Sequence, residues 1–541
     1  MSPSPRALLS VYDKTGLVDF ATSLVGFGWE IISTGGTAKK LREAGLEVKD
    51  ISEITNHPEI FDGRVKSLHP AVHGPLLARL ENEKDKDGLE ELGYQPIKLV
   101  AVNLYPFSMS ASQDPPLNDS ELLEMIDIGG PTLLRASAKN HKNVISVCNP
   151  DRYNEIIELL NQVEGDPGKI NLDERKKLAL ESFEHTASYD VAISKELHQR
   201  WMGKANEVEN LEDAITKLPS RFQIDSELKE IMRYGENPHQ AAAFYANPIN
   251  SQINLADFMM HSGKALSYNN YVDLDAALRL ARNLSTDDWP KTPHACVIVK
   301  HNNPCGAALA ASQEDAWSDA LSSDPESAFG CIVAFNTKVT KTTADKIGSH
   351  FVECIVAPSF EQEALEILSA KKNRRLLSIS SSSKFSPQTS EMVAKQINGG
   401  WLLQTEKAPT IDPKLARSVT IKEPNIQELD AMKFGMVVCE QVKSNSVIFV
   451  KGTKTVGIGP GQTSRVEAVR IAARRAGEEA KGAVMVSDAF FPFRDGIDTA
   501  NEIGITSIVQ PGGSIRDQEV IDAANEHEMS MLFTGIRLFR H

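Results

Sequence analysis

The sequence predicts an α/β protein whose N-terminal part is a parallel sheet with crossover helices. Two observations predict it. Through the first 150 residues, short apolar runs alternate with segments of helical spacing, the pattern of βαβ units. Polar and glycine-rich motifs follow directly on those runs, and ligands bind at the carboxyl ends of strands in such sheets. Length adds a third constraint. The 541 residues exceed what one hydrophobic core supports and predict roughly three or four domain-sized units.

The elements follow in chain order. Residues 6–12, 29–33, 46–51, 98–104 and 144–148 read as strands, and 14–24 and 38–44 as helices. Residues 151–199 are mostly helical in pattern. A polar, acidic stretch over 203–223, with Pro219 inside it, marks a boundary near residue 203. The expected domains are therefore 1–203 and 204–541. The second holds further strands at 295–299, 331–335 and 484–486, a serine-rich surface loop at 378–386 and a helix at 516–527.

Composition excludes several classes. Lys and Arg number 58 against 73 Asp and Glu, a net charge of −15. That argues against nucleic acid or an anionic membrane as partner, while small anionic ligands need only a local pocket. Hydrophobic residues at 41% and charged residues at 24% suit a folded chain. Six cysteines, none in a C-x-x-C pair, argue against a disulfide framework or structural zinc. Residues 1–14 lack the apolar core of a signal peptide, and no stretch nears the roughly 18–20 apolar residues of a membrane span. The expected location is cytoplasmic.

The N-terminal motifs point to an anion. Ser33-Thr34-Gly35-Gly36-Thr37 lies between a strand and a helix, where backbone N–H groups and hydroxyls face a phosphate. The plainer reading is a turn capping a helix. In Asp62-Gly63-Arg64-Val65-Lys66-Ser67, Arg64 and Lys66 share one face if the chain is extended; the plainer reading is a solvated loop. Asn103-Leu104-Tyr105 follows a strand, and Asp127-Ile128-Gly129-Gly130 precedes a helical run that carries Lys139.

Together and in this order, these motifs resemble the inosine monophosphate (IMP) cyclohydrolase domain of the bifunctional purine biosynthesis family. That domain is methylglyoxal-synthase-like, and the match runs from residue 7 to about 153. The resemblance implies that Tyr12, Asp13, Lys14, Thr34, Gly35, Gly36, Thr37, Arg64, Val65, Lys66, Ser67, Asn103, Asp127 and Ile128 bind the nucleotide. It also implies that Lys66, Tyr105, Asp127 and Lys139 assist ring closure. In that reaction a carboxamide nitrogen attacks a neighbouring formyl carbon and water leaves. Orientation, proton transfer and oxyanion stabilisation suffice for it.

The second half carries a different constellation. Arg233-Tyr234-Gly235-Glu236-Asn237-Pro238-His239-Gln240 reads as a functional loop. Lys300-His301-Asn302-Asn303-Pro304-Cys305-Gly306 ends a strand, so an adjacent cation and proton acceptor emerge together. A zinc reading of His57, Glu59, His301 and Cys305 fails on pattern. Zinc deaminases carry P-C-x-x-C, whereas Pro304-Cys305 leads into Gly306-Ala307-Ala308. Cys305 reads as a buried structural thiol. The glycine-rich run 457–465 matches neither Rossmann nor P-loop spacing. Phe490, Phe491 and Phe493 are either core or an aromatic slot for a flat ring.

From about residue 231 to 541, these segments resemble the aminoimidazole carboxamide ribonucleotide (AICAR) transformylase domain of the same family. The resemblance implies that Lys300 stabilises the transition state and His301 accepts the proton. Arg233, Tyr234, His301, Gly330, Glu353, Asn445, Phe490 and Arg537 would contact AICAR. Val466, Asp495 and Ser514 would contact the folate. Some relatives carry Asp where Glu353 stands, so the carboxylate is kept. The resemblance further implies two cytidine-deaminase-like α/β units lacking zinc, and 10-formyltetrahydrofolate as co-substrate. It also implies a monovalent cation (K+) near Ser444-Asn445-Ser446 and Asp488, and a homodimer with transformylase sites at its interface.

Two other readings compete. A nucleotide-sensing module would need the phosphate loops but not Lys66, Tyr105, Asp127, Lys139 or the Lys300-His301 pair. A methylglyoxal-synthase-type lyase would leave the long second half without a role.

Overall fold

The computed structural model describes residues 4–61, 63–203, 211–246, 255–379, 392–405, 413 and 416–541. It forms two compact units, Met1–Asp225 and Ser226–His541.

In the first unit, five strands form one parallel sheet: β1 (Arg6–Val11), β2 (Glu30–Ser33), β3 (Lys49–Asp50), β4 (Ile97–Asn103) and β5 (Ile145–Val147). Their order is β3-β2-β1-β4-β5. The central strands β1 and β4 are largely apolar because helices cover both faces, whereas the edge strand β3 is two charged residues. Leu9 joins Phe20, Trp29 and Leu99 in the core on one side, and Leu8 joins Ile32, Val100 and Leu133 on the other.

Three expectations are corrected in detail. The strand expected over 46–51 shrinks to Lys49–Asp50, because Asp50 caps the next helix, Ile51–Thr55, in a reciprocal box with Glu53. The helix expected from residue 14 starts at Leu17. The helical stretch expected over 151–199 is interrupted at Pro167 and resolves into Tyr153–Gln162 and Leu172–Met202.

The second unit opens with a hairpin, β6 (Glu227–Met232) and β7 (Ala242–Ala246), and continues with β8 (Phe258–Ser262), β9 (His294–Lys300), β10 (Asn303–Ala310), β11 (Cys331–Phe335), β12 (Val352–Ala357) and β13 (Arg375–Ile379). A second hairpin follows, β14 (Met392–Ile397) and β15 (Gly400–Thr405). Then come β16 (Arg417–Ser418), β17 (Val447–Lys451), β18 (Lys454–Gly459), β19 (Val484–Ser487), β20 (Ser507–Gln510) and β21 (Ser530–Phe533). Twelve of these strands make one sheet in the order β16-β21-β20-β19-β17-β18-β10-β9-β11-β12-β13-β8. Ser378 and Ile379 close β13, so the serine-rich loop expected from 378 begins after them. Its remainder lies outside the described residues.

That sheet is a duplication. In each half a helix (Tyr268–Asn283 or Ile426–Cys439) leads into an antiparallel hairpin (β9–β10 or β17–β18). A helix follows the hairpin, and the first hairpin strand pairs antiparallel with a run of three parallel strands. The halves join through an antiparallel β10–β18 contact. Glycines let the following helix close on each hairpin. A Cβ at Gly306 would meet the Ala320 carbonyl at 1.9 Å, and one at Gly459 would meet the Ala468 carbonyl at 2.0 Å. These are the two α/β units expected of the second domain. No group of three or more His, Cys, Asp or Glu side chains that could hold a metal occurs among the described residues.

Candidate active sites

In the first unit the site residues come from the carboxyl ends of β2, β1 and β4, three neighbours in the sheet. Asn103 ties two of these ends together. Its Oδ1 accepts the Tyr12 and Asp13 N–H groups at 2.6 and 2.9 Å, and its Nδ2 donates to the Asp13 carbonyl at 2.9 Å. Thr37 Oγ1 accepts the Val11 N–H at 3.0 Å and so fixes the Thr34–Thr37 turn beside β1. The helix Gly35–Glu43 begins there with no side-chain cap, which leaves its first N–H groups for an anion.

Two ammonium groups converge on this turn. A Cβ at Gly35 would lie 3.6 Å from Lys66 Nζ, and one at Gly36 would lie 3.9 Å from Lys14 Nζ. Lys14 Nζ also donates to the Tyr12 carbonyl at 3.1 Å. A helix N-terminus flanked by two cations is an arrangement able to hold a phosphate.

Asp127 and Tyr105, two groups able to exchange protons, lie beside it. Burial pushes the Asp127 carboxyl above its usual range, against the pull of the Gly130 and Gly129 N–H groups and the Lys66 charge. Burial also raises the Tyr105 hydroxyl, and the Asp127 and Glu59 carboxylates add to it. The Tyr12 and Tyr105 rings meet edge to face at 5.6 Å. A Cβ at Gly129 would lie 2.8 Å from Ser67 Oγ, so Ser67 belongs to the same group. Ile128 is exposed, and Val65 bridges to Ile60 through its backbone.

Two expected members stand apart. Residues around Arg64 are turned rather than extended, so Arg64 and Lys66 do not share a face. Arg64 pairs with Glu124. Lys139 ends the helix Gly129–Lys139, whose first turn holds Asp127. Eleven residues of helix span about 16 Å, longer than a lysine side chain.

Two contributors were not among the expected residues of this site. Tyr189, 62 residues downstream, accepts the Asp127 N–H at 2.8 Å and donates to the Met125 carbonyl at 3.2 Å. Glu59 packs so close to Gly63 that a Cβ there would clash with its Oε1.

In the second unit the expected residues line a single edge of the twelve-stranded sheet. The antiparallel junction of the halves causes this. The first half presents its hairpin tip and the amino ends of β11 and β12, and the second presents the carboxyl ends of β18 to β21. Lys300, His301, Gly330 and Glu353 lie on the first stretch of this edge. Arg233 and Tyr234 reach it through their loop, where the Asn269 amide donates to the Glu236 carbonyl at 3.4 Å. Asn445, Val466, Phe490, Asp495, Ser514 and Arg537 lie on the second stretch. His301 and Phe490 are four ladder steps apart, about 19 Å at normal strand spacing.

On the first stretch, Lys300 Nζ donates to the Phe329 carbonyl at 2.7 Å. His301 and Asn302 form the two-residue hairpin loop, with φ of 54° and 60°. Asn270 caps its helix and donates to Glu353 Oε2 at 3.1 Å. The Cys305 thiol is buried and pushed up to about 12 by burial, with Asp324 adding to the effect; this suits the structural thiol expected of it.

On the second stretch, the three phenylalanines divide. Phe491 is core, while Phe490 and Phe493 are exposed, so the core reading holds for Phe491 alone. Gly513 and Ser514 donate their N–H groups to Asp517 at 2.7 and 3.0 Å. The Arg537 guanidinium lies 4.5 Å from the Phe539 ring centre. Arg465, which the sequence reading passed over, bonds Asn445, Ser487 and Asp488.

The donor chemistry near Ser444-Asn445-Ser446 suits an oxygen-bound monovalent cation. Ser446 Oγ is buried with the Cys439 sulfur 3.6 Å away, and the buried Asp488 carboxylate accepts the Ser446 N–H.

The family model described as AICARFT/IMPCHase bienzyme matches residues 137–475, and an MGS-like domain model matches residues 16–132. The chain is 44% identical over 541 residues to the "Bifunctional purine biosynthesis protein PurH" of Persephonella marina, covering 99% of each chain. It is 44% identical over 539 residues to the protein of that name from Aquifex aeolicus, covering 99% of this chain and 100% of the relative. The solved structure "Crystal structure of ForH" covers 36% of this chain and 100% of its own, at 35% identity and a TM-score of 0.33. The chain belongs to the AICARFT/IMPCHase bienzyme family.

Proposed function

We propose that the protein is a two-step enzyme of purine biosynthesis, with formyl transfer on the second unit and ring closure on the first. The observation that carries this reading is the separation of two complete sets of chemical groups. Lys14, Lys66, Tyr105 and Asp127 gather at one end of the first unit's sheet, and Lys300 with His301 at a hairpin tip of the second.

In the first step the 5-amino nitrogen of AICAR attacks the formyl carbon of a folate-type co-substrate, 10-formyltetrahydrofolate. His301 takes the amine proton as the C–N bond forms, and Lys300 stabilises charge on the formyl oxygen. The products are formyl-AICAR and tetrahydrofolate. Arg233, Tyr234, Gly330, Glu353, Asn445, Phe490 and Arg537 hold the nucleotide, and Val466, Asp495 and Ser514 the folate. In the second step the first unit binds the formyl-AICAR phosphate over Thr34, Gly35, Gly36 and Thr37. The carboxamide nitrogen closes on the formyl carbon, and water leaves to give IMP. Lys66, Tyr105 and Asp127 handle the protons and the transient oxyanion.

The working form in this reading is a homodimer. Its support is the spacing of about 19 Å between the His301 and Phe490 stretches, which a second copy would bridge by facing one stretch with the other. A K+ ion beside Ser446 and Asp488 belongs to the same proposal. So does a cytoplasmic location, since all six cysteines are free and buried.

The test is formation of IMP from AICAR and 10-formyltetrahydrofolate by the purified protein. Absence of both formyl-AICAR and IMP overturns the reading.

A further inference from the structure

The most constrained backbone near the proposed formyl-transfer groups is the hairpin tip itself. Lys300 pairs with Asn303 across β9 and β10, leaving His301 and Asn302 as the whole loop. Both have positive φ, 54° and 60°, as the hairpin turn that matches strand twist requires. Glycine takes that conformation freely, while histidine and asparagine, each carrying a Cβ, do so at a steric cost. The duplicated half provides an internal comparison. Its hairpin β17–β18 turns at Gly452, with φ of 57°, where glycine bears no such cost. The first half keeps a histidine at a position where glycine would fold more easily.

A half-buried carboxylate offsets that cost. Asp273, in the helix Tyr268–Asn283, accepts the His301 N–H on Oδ2 at 3.2 Å and the Asn302 N–H on Oδ1 at 2.5 Å. Each oxygen takes one of the two loop amides. Asn303 completes the clamp: its Nδ2 donates to the His301 carbonyl at 3.3 Å, and its Oδ1 accepts the Lys443 N–H at 3.1 Å. The helix packs on β9 and β11 through Leu274, Ala277 and Leu278, so Asp273 is fixed to the sheet rather than to the loop.

We infer that Asp273 is a positioning residue for formyl transfer: its carboxylate holds the strained His301-Asn302 turn in the one backbone conformation that aims His301 at the substrate amine. The inference rests on the reading of His301 as proton acceptor. Asp273 touches neither substrate nor folate in this role and acts through the two amides. It also explains why a carboxylate stands there. A carboxylate gives each N–H its own oxygen, whereas an amide side chain would have to take both on one.

The experiment compares Asp273→Ala, Asp273→Asn and Asp273→Ala with Asn302→Gly in the full-length protein. Formyl transfer and cyclisation of supplied formyl-AICAR are assayed separately. A misplaced general base costs about 10²-fold, so Asp273→Ala should lose about that much kcat in formyl transfer. KM for AICAR should move less than about threefold. Cyclisation, on the other unit, should be unchanged, and an unaltered thermal unfolding transition of the second unit reports that it is folded. Asp273→Asn, which keeps the shape and one acceptor, should fall between wild type and Asp273→Ala and decides the matter if the alanine variant does not fold. Adding Asn302→Gly eases the turn without the clamp and should recover about tenfold of the lost kcat.

Unchanged kcat in a folded variant, a loss confined to KM, or no recovery with Asn302→Gly overturns the inference. If His301→Ala itself transfers formyl normally, the underlying reading fails instead.

Discussion

Arg465 and Asp488 form an ion pair sealed from solvent. Arg465 Nη1 meets Asp488 Oδ1 at 2.5 Å, with the side chains 6% and 0% exposed. The same guanidinium holds Asn445 Oδ1 at 2.6 Å and Ser487 Oγ at 2.8 Å, while Asp488 Oδ2 accepts the Ser446 N–H at 3.0 Å. One buried pair therefore fixes the loop that presents Asn445 to the sheet edge.

Breaking one side of that pair leaves a bare charge in the core. Asp488→Leu should cost about 3–5 kcal/mol, and the double variant Arg465→Met with Asp488→Leu should cost less than Asp488→Leu alone. Urea unfolding of the three proteins checks this. Equal losses in single and double variants would mean that the pair's charge is not what matters.

Asp127 should trade stability for activity. Burial raises its carboxyl pKa above the ordinary 3.8, so the folded state binds its proton more tightly than the unfolded state does. Its stabilising contribution is therefore full below pH 3.8 and is lost as pH rises through the raised folded value. Asp127→Asn removes that loss. The variant should unfold at an equal or higher temperature than wild type at pH 7, and its advantage should vanish in acid. Cyclisation should fall at the same time. A marked loss of stability at pH 7 would contradict the sign.

The two activities should separate cleanly. His301→Ala should abolish formyl transfer and leave cyclisation of supplied formyl-AICAR intact. Lys66→Ala should do the reverse, lowering cyclisation about 10²-fold or more. Lys139→Ala, at the far end of its helix from Asp127, should lower cyclisation less than Lys66→Ala. Parallel assays of both reactions decide it, and equal loss of both in any folded variant would refute the division of labour.

The glycines under the duplicated hairpins should resist even a methyl group. At Gly306 and Gly459 the atoms in the way are backbone carbonyls of the packed helices, at 1.9 and 2.0 Å, and these cannot rotate aside. Gly306→Ala and Gly459→Ala should each cost about 1–3 kcal/mol or more. Gly452→Ala, where a Cβ meets nothing within 4 Å, lacks that clash and should cost only the strain of its positive φ. Chemical denaturation of the three variants ranks them.

Much of this was legible in the sequence because the relevant information is local. Apolar runs such as 6–12 and 98–104 must be strands buried on both faces, and the polar residues just after them must lie at strand ends. That logic put Thr34 and Asn103 at strand ends, and the family resemblance grouped them with Tyr12. Local reading failed where the partner is distant in the chain. Nothing near Arg64 marks Glu124 as its partner, and nothing near Asp127 announces Tyr189. Asp273 lies 28 residues before His301, inside what reads as an ordinary amphipathic helix.

By itself, then, the sequence determined the α/β class, the order of the motifs and the residue types able to do the chemistry. Each of these follows from neighbours along the chain. The tertiary structure decided which of them meet. It put Lys14 and Lys66 over one glycine turn, turned Arg64 away and left Lys139 a helix length from Asp127. It also joined two duplicated halves antiparallel, so that residues spread over more than 300 positions share one sheet edge. The physical reason is that pairing of strands such as β10 with β18, or of Asp273 with two loop amides, is set by hydrogen bonding and burial between segments whose separation along the chain carries no periodic signal.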